Sequence, residues 1–144
     1  MSIEFVLINR SDMACIVPLL MELDPHIPKA TIESRLALMV EQGYECVGIY
    51  DAGELIGICG IWVLVKYYVG RHLEPDNVYL RAAYQGQGIG AALQSWLEAL
   101  AKSRDCDALE LNCYVANTSG CEFWESVGYK RLGVHYQKIL RVAT

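Results

Sequence analysis

Three glycines at alternate positions, Gly86, Gly88 and Gly90, follow a short apolar segment at 78–80. Glycine loses more backbone freedom on folding than any other residue, so three this close together are costly inside a strand or a helix. They fit a turn whose backbone N–H groups must approach another molecule closely. The residues that follow have one apolar stripe at the helical period. Its members are Ile89, Leu93, Trp96, Leu97 and Leu100. The stretch 77–104 is therefore predicted to form a strand, a turn and a helix.

The start of such a helix favours an anion, because its first ~4 N–H groups have no partner and carry partial positive charge. A plain turn without a ligand seldom needs three glycines. A P-loop is excluded, since no Lys-Ser or Lys-Thr follows the glycines. The spacing Gly86-x-Gly88-x-x-Ala91 matches a loose dinucleotide fingerprint. That motif normally opens a sheet and is followed by a strand ending in an acidic residue, whereas the next strand predicted here, 108–115, ends without one.

Two segments resemble the GNAT superfamily of N-acetyltransferases. The run Gln85-Gly86-Gln87-Gly88-Ile89-Gly90 is similar to the acetyl-CoA pyrophosphate loop of that family, and residues 117–129 resemble its Asn…Phe-Tyr-x-x-x-Gly-Phe segment. The two motifs in this order indicate the superfamily but no subfamily. The resemblance implies the GNAT fold, an α/β mixed sheet flanked by helices in the order β-α-α-β-β-β-α-β-α-β. It also implies one domain over residues 1–144.

The remaining elements are predicted from apolar periodicity and turn residues. Ser11 is predicted to cap a first helix that Pro18 bends, and Thr31 to cap a second. Gly57 and Gly60 predict a bulge or a close backbone approach within one strand. The predicted strands are 3–8, 44–50, 55–65, 108–115 and 129–140, with a loop at 66–71 leading into the central strand.

Composition narrows the class of protein. The chain is 53% apolar and 20% charged, as expected for a soluble globule long enough to bury a core. Its net charge of −5 and the lack of a basic run argue against a nucleic-acid partner. Six cysteines occur without a CxxC pair or metal-ligand spacing, so no metal is expected. Without a leader or a long apolar run, we expect a cytoplasmic protein with no membrane partner.

The resemblance implies direct transfer of an acetyl group from acetyl-CoA to a primary amine of a small molecule or peptide. Asp76 matches the position, directly before the central strand, where many family members carry a carboxylate, and it is predicted to be the general base. Glu74 is the alternative, and both also fit as solvated loop carboxylates. The resemblance further implies that a backbone N–H near Leu80 stabilises the oxyanion.

The resemblance also assigns residues to the coenzyme. The edge of the central strand would pair with the pantetheine arm, and the glycine turn would hold the pyrophosphate. Asn117 would hydrogen-bond near pantetheine, although it also fits as a plain helix cap. The expected coenzyme contacts are Val78, Tyr79, Leu80, Arg81, Gln85, Gly86, Gln87, Gly88, Ile89, Gly90, Asn117, Cys121 and Trp124.

Trp124 departs from the family pattern, because it stands where a tyrosine often protonates the departing thiolate. An indole N–H cannot usefully give up its proton near neutral pH. Either the thiolate leaves unaided, or Tyr114, His135 or Tyr136 serves instead. The same departure keeps a second interpretation open, a degenerate domain that binds acyl-CoA as a sensor or interaction module. The acceptor is not readable from the sequence, and the chain is expected to be a monomer or a homodimer.

Overall fold

A computed structural model describes residues 1–141, and the chain divides into two compact units, Met1–Leu111 and Asn112–Thr144. The first unit contains all five strands and the first three α-helices. These are β1 (Ile3–Leu7), α1 (Val17–Leu23), α2 (Lys29–Glu41), β2 (Glu45–Asp51), β3 (Glu54–Lys66), β4 (Gly70–Leu80), α3 (Ile89–Ser103) and β5 (Ala108–Leu109). The second unit contains α4 (Thr118–Ser126).

The strands form one mixed sheet in the order β1-β2-β3-β4-β5. The first four pair antiparallel in succession, and β5 pairs parallel with β4. The β2–β3 connection is a tight hairpin in which Ala52 and Gly53 both have positive φ, as the twist of the flanking strands requires. The predicted mixed α/β fold class is confirmed.

Each face of the sheet carries its own apolar core. Adjacent strand residues point to opposite faces, and Cys46 and Val47 accordingly belong to different cores. The predicted stripe of α3 covers one face, where Leu97 is fully buried. Helices α1 and α2 cover the other through Leu19 and Leu36. Each fully buried aliphatic side chain contributes ~1.5–3 kcal/mol relative to exposure, so the two cores fix the position of β4 between them.

The central strand β4 is longer than predicted. The predicted loop at 66–71 is wrong, because β3 runs to Lys66 and β4 begins at Gly70. Between Tyr79 and Asp76 the register against β3 shifts, so that β4 carries one extra residue, and Asn77 has a φ of +41°. A Cβ on Gly60 would overlap Asn77 Oδ1 and the Tyr44 hydroxyl. The predicted bulge and close approach are confirmed.

The predicted helix starts in the N-terminal region are wrong. A 3₁₀ helix over Arg10–Ile16 precedes α1, and Pro18 lies in the first turn of α1, where its missing N–H is not needed. Helix α2 begins at Lys29, directly after Pro28, and not after a Thr31 cap. Proline therefore sets both starts through its fixed φ, in place of side-chain capping.

The last two predicted strands are also corrected. The strand predicted over 108–115 forms only at Ala108–Leu109, and residues 129–140 form no strand. Leu132, Val134 and Tyr136 are all exposed. Alternation of apolar residues produces a strand only where a neighbouring strand supplies ladder partners, and alternation alone cannot provide them. No helix within residues 1–141 is long and apolar enough to span a membrane.

Candidate active site

The glycine turn has the conformation that glycine permits. Gly86 and Gly88 have φ of +73° and +82°, in the left-handed region. Gly88 is the N-cap of α3, and no side chain caps this helix. A Cβ at either position would meet no atom within 4 Å. The backbone conformation therefore requires glycine here, and the surface of the turn is left open.

The first backbone amides of α3 are available for a ligand. Ala92 makes the first intrahelical bond, donating its N–H to the Gly88 carbonyl at 3.2 Å. The N–H groups of Ile89, Gly90 and Ala91 precede that bond and have no acceptor within the helix. No acidic side chain lies in this first turn. Open space and unbonded amides together fit the pyrophosphate of a coenzyme.

Two glutamines brace the turn from inside. Gln85 Nε2 donates to the Leu80 carbonyl at 2.7 Å, and Gln87 Nε2 donates to the Ala83 carbonyl at 2.9 Å. Both side chains are thus turned back onto the chain. The side chains hold the turn between β4 and α3. If Gln85 and Gln87 bind the coenzyme as predicted, they would do so through their backbone groups.

One edge of β4 is free beyond its short ladder with β5. The ladder consists of His72 opposite Ala108 and Leu73 opposite Leu109. Further along, Arg81 donates its N–H to Ile56 on β3 at 3.0 Å. Backbone groups alternate in direction along a strand, so the N–H of Leu80 points away from β3. Within residues 1–111, no strand pairs with β4 on that side beyond Leu73.

The side chains of this half of β4 serve packing and ion pairing. Val78 and Leu80 pack in the core under α3, and Tyr79 packs in the other core. Arg81 Nη2 lies 3.0 Å from Glu22 Oε2, and the hydrogen bond with this carboxylate raises the pKa of Arg81. The guanidinium is therefore held by α1. Any coenzyme contact at these four predicted positions would be made through the backbone.

Asp76 lies inside β4 and is oriented by two donors. The indole Nε1–H of Trp62 donates to Oδ2 at 2.9 Å, and the backbone N–H of Asn77 donates to Oδ1 at 2.9 Å. The Trp62 ring is in edge contact with Tyr44, with centroids 5.2 Å apart. Burial raises the pKa of Tyr44 well above its usual range, so this phenol stays protonated. Asp76 is thus a positioned carboxylate and not a loop residue.

Glu74 belongs to a cluster around a buried histidine. His72 is fully buried, and its Nε2 lies 3.3 Å from Glu74 Oε1. Its Nδ1 lies 3.9 Å from Glu110 Oε1 and has no hydrogen-bond partner among the described residues. Tyr68 donates its hydroxyl to Glu110 at 2.7 Å. The sequence prediction missed this cluster because it placed Tyr68 in a loop at 66–71 and did not extend the central strand back to His72. His72 and Glu74 stand two positions apart, which puts both on one strand face, and this spacing could have indicated the cluster.

Asn117 begins α4 and caps it. Its Oδ1 accepts the N–H of Gly120 at 3.0 Å. A Cβ on Gly120 would overlap the Asn117 side chain, so glycine is needed for the cap to form. The structure therefore shows the cap role that the sequence left open. The role of Asn117 at the coenzyme stays a prediction.

The other predicted residues of the second unit have local partners. Trp124 contacts Phe123 and Tyr129, with ring centroids 5.0 and 5.5 Å apart. Cys121 Sγ lies 3.4 Å from Cys113 Sγ. Tyr114 and Tyr136, two of the alternative proton donors, are 83% and 88% exposed. Among residues 1–141, no group of three or more His, Cys, Asp or Glu side chains is arranged to hold a metal ion.

Solved structures share this fold at low identity. Ribosomal-protein-alanine N-acetyltransferase from Brucella melitensis biovar Abortus 2308 aligns with a TM-score of 0.80 and 22% identity, covering 99% of this chain and 100% of its own. Glucosamine-6-phosphate N-acetyltransferase from Arabidopsis thaliana gives 0.71 and 17%, covering 98% and 100%. AAC(6')-Iy, solved in complex with the bisubstrate analog CoA-S-monomethyl-acetylneamine, gives 0.77 and 13%, covering 96% and 99%. No protein of curated function matches the sequence.

A family model shows the relationship directly. The model described as "Acetyltransferase (GNAT) family" matches residues 16–129, well over half of the chain. The matched range includes both the glycine turn and the helix that begins after Asn117. The chain therefore belongs to the GNAT acetyltransferase family.

Proposed function

We propose that this protein transfers an acetyl group from acetyl-CoA to a primary amine of a small molecule or peptide, by direct transfer. The observation that carries the proposal is the junction of β4 and α3. There, a strand edge that no other strand within residues 1–111 pairs with beyond Leu73 leads through a braced glycine turn to uncapped helix amides. Two of the similar structures cited above are named as N-acetyltransferases, and the third was solved with a bisubstrate analog that contains CoA. Their names include one large acceptor, a ribosomal protein, and one small acceptor, an amino sugar phosphate.

The proposed coenzyme site uses backbone groups almost throughout. The amides from Gly86 to Ala91 would hold the pyrophosphate, and the free edge at Val78 and Leu80 would pair with the pantetheine arm. Coenzyme contacts of Asn117, Cys121 and Trp124 are proposed from the sequence resemblance alone. When bound, acetyl-CoA supplies a thioester that is already activated toward amines. The N–H of Leu80, which points away from β3, would donate to the carbonyl oxygen of that thioester.

Asp76 is the proposed general base, with Glu74 as the alternative. Asp76 precedes Leu80 by four residues, and the extra residue of β4 lies between them, so the carboxylate does not lie beside the Leu80 amide. A proton from the acceptor amine would therefore pass to Asp76 through water. The two hydrogen bonds from Trp62 and Asn77 fix the carboxylate at the start of that path.

The thiolate is proposed to leave without a proton donor. Trp124 is occupied in ring contacts with its neighbours and has no acidic proton to give. A thiol with an ordinary pKa of ~8.5 can depart largely as the anion near neutral pH. Trp124→Phe should therefore keep turnover within roughly tenfold of the wild type.

Two features favour a binding module over an enzyme. Both oxygens of Asp76 already accept hydrogen bonds, and Trp124 replaces the usual proton donor. Such a chain would bind acyl-CoA without turning it over. This second candidate function predicts ligand binding with no release of free thiol.

The test is release of CoA thiol in the presence of a panel of primary amines, with acetyl-CoA binding measured separately by thermal shift. We expect turnover with at least one amine, and a loss of ~10²–10⁴-fold in Asp76→Asn, the usual cost of losing a general base. The deficit should be largest at low pH, where the amine is most protonated. Glu74→Gln is the matched control variant, and a larger loss there would reassign the base. Binding of acetyl-CoA without thiol release supports the binding module. If neither binding nor thiol release is seen, both proposed functions are contradicted.

A further inference from the structure

Two thiols lie against each other at the start of α4. Cys121 Sγ is 3.4 Å from Cys113 Sγ, and each sulfur also lies near a carbonyl of the intervening turn. Both cysteines are partly exposed and neither is in a disulfide. The other cysteines differ in their setting. Cys46 and Cys59 are buried in the sheet, Cys15 is exposed in the first unit, and Cys106 is partly exposed, without the thiol contact that joins Cys113 and Cys121.

The two sulfur atoms are already in contact. A bond of ~2.05 Å requires the sulfurs to approach by about 1.4 Å. That movement meets little resistance, because no residue from 112 to 141 is fully buried. The turn between the two cysteines has no apolar core, and Tyr114 and Val115 within it are 83% and 81% exposed. The segment can therefore close without disturbing packed side chains.

We infer that Cys113 and Cys121 form a reversible oxidation site for low-molecular-weight disulfides such as glutathione disulfide. The thiolate of one cysteine attacks a sulfur of glutathione disulfide, which breaks the glutathione S–S bond and releases one glutathione thiolate. The second cysteine, as thiolate, attacks the protein sulfur of the resulting mixed disulfide and releases the second glutathione. The protein pair loses two electrons and two protons, which are recovered in two molecules of reduced glutathione.

The second step is favoured by proximity. A partner held 3.4 Å away acts at an effective concentration far above that of any free thiol in solution. A mixed disulfide on either cysteine is therefore resolved internally before reduced glutathione can reverse it. An exposed cysteine with no neighbouring thiol in contact has no such route and retains the mixed disulfide.

Protonation of the pair sets the pH dependence. Burial and the contact with Cys121 raise the pKa of Cys113, and burial with the nearby Asp12 raises the pKa of Cys15. The thiols of Cys113 and Cys15 are therefore more fully protonated at neutral pH than an ordinary thiol, and both react faster as the pH rises. Cys15 serves as the internal control, because the pKa of its thiol is shifted in the same direction while it lacks a thiol–thiol contact of the kind that joins Cys113 and Cys121.

The experiment uses the full reduced chain, incubated with glutathione disulfide at mildly alkaline pH, quenched by alkylation and mapped by mass spectrometry. We expect a peptide cross-linked between Cys113 and Cys121, a mixed glutathione disulfide on Cys15, and reversal of both by reduced glutathione. In Cys113→Ser, Cys121 should instead accumulate the mixed disulfide, whereas Cys15→Ser should leave the cross-link unchanged. The inference is overturned if Cys113 and Cys121 remain alkylated, or carry separate glutathiones, under conditions that modify Cys15.

Discussion

The two helices that begin within the family motifs, α3 and α4, begin in opposite ways. Helix α3 starts at Gly88, with a left-handed cap residue and no side chain bonded to its first amides. Helix α4 starts at Asn117, whose side chain accepts the N–H of Gly120. Helix α3 also buries Ile89, Leu93 and Leu97, whereas α4 buries none of its residues fully. Helix α3 is thus stabilised by packing and leaves its N-terminal amides unbonded, whereas α4 is stabilised largely by its N-terminal cap.

This difference shows what each motif supplies. A helix anchored by an apolar stripe can leave its N-terminal amides unbonded, because its stability does not depend on them. A short helix without a buried face depends on its cap, and its first amides are partly used by the chain itself. Binding of an anion is therefore expected mainly at α3. Loss of stability from a cap variant is expected mainly at α4.

The largest expected effect is on ligand binding at α3. Acetyl-CoA at a hundredfold its dissociation constant should add ~2.7 kcal/mol to the free energy of unfolding. Gly88→Glu places a bulky anion at the turn, on a backbone with φ of +82°, and should abolish the resulting thermal shift. Thr118→Glu, which adds a negative charge in the first turn of α4, is the matched control and should leave the shift intact. An unchanged shift in folded Gly88→Glu would remove the site from α3.

A smaller effect is expected on the stability of α4. Asn117→Ala removes the cap and should cost ~1 kcal/mol, which corresponds to about fivefold faster amide hydrogen exchange in α4. Gly120→Ala should have a similar effect, because its Cβ overlaps the Asn117 side chain. Asn117→Asp keeps an acceptor oxygen and is the control. Equal exchange rates in α4 for Asn117→Ala and wild type would show that the cap does not hold this helix.

A comparable but more local effect is expected from the glutamine braces. Gln85→Ala and Gln87→Ala each remove one hydrogen bond, worth ~0.5–1.5 kcal/mol. Gln85 bonds the carbonyl of Leu80, at the strand edge proposed to pair with the coenzyme, whereas Gln87 bonds Ala83 inside the turn. Acetyl-CoA affinity, measured by calorimetry, should therefore fall more in Gln85→Ala. The opposite order would indicate that the turn and the strand edge bind independently.

The smallest effect concerns the thiols beside α4. If Cys121 contacts the coenzyme as proposed, saturating acetyl-CoA should slow formation of the Cys113–Cys121 disulfide severalfold, because the ligand covers the Cys121 sulfur. The rate of glutathione addition at Cys15 measures any general effect and should not change. Equal disulfide rates with and without ligand, in a protein that shows the thermal shift, would remove Cys121 from the coenzyme site. The inferred oxidation itself does not depend on this outcome.

The sequence predicted the parts of the fold that local rules determine. The glycine turn, the start of α3 and its stripe depend on backbone freedom and helical period, both visible in neighbouring residues. The extent of β4 and β5 depends on which strands pair, and pairing was not readable from alternation at 129–140. The same limit hid the cluster around His72, because Glu110 and Tyr68 reach it from other parts of the chain. Asp76 was identified, but its indole donor was not.

The extra residue in β4 reverses the alternation of its backbone groups. Even-numbered residues direct their amides toward β3 before Asn77, and odd-numbered residues do so after it. Upstream of Asn77, the ladder with β5 directs the backbone of Leu73 toward that strand, so the amides of Glu74 and Asp76 face β3. Downstream of Asn77, the amide of Arg81 faces β3, and the amide of Leu80 therefore faces the open side of the strand. If Asn77 instead paired with Cys59 as an ordinary ladder residue, a single alternation would run through the whole of β4. The amide of Leu80 would then face β3, so a chain with every carboxylate and glycine retained would lose the strand edge on which the proposed chemistry depends.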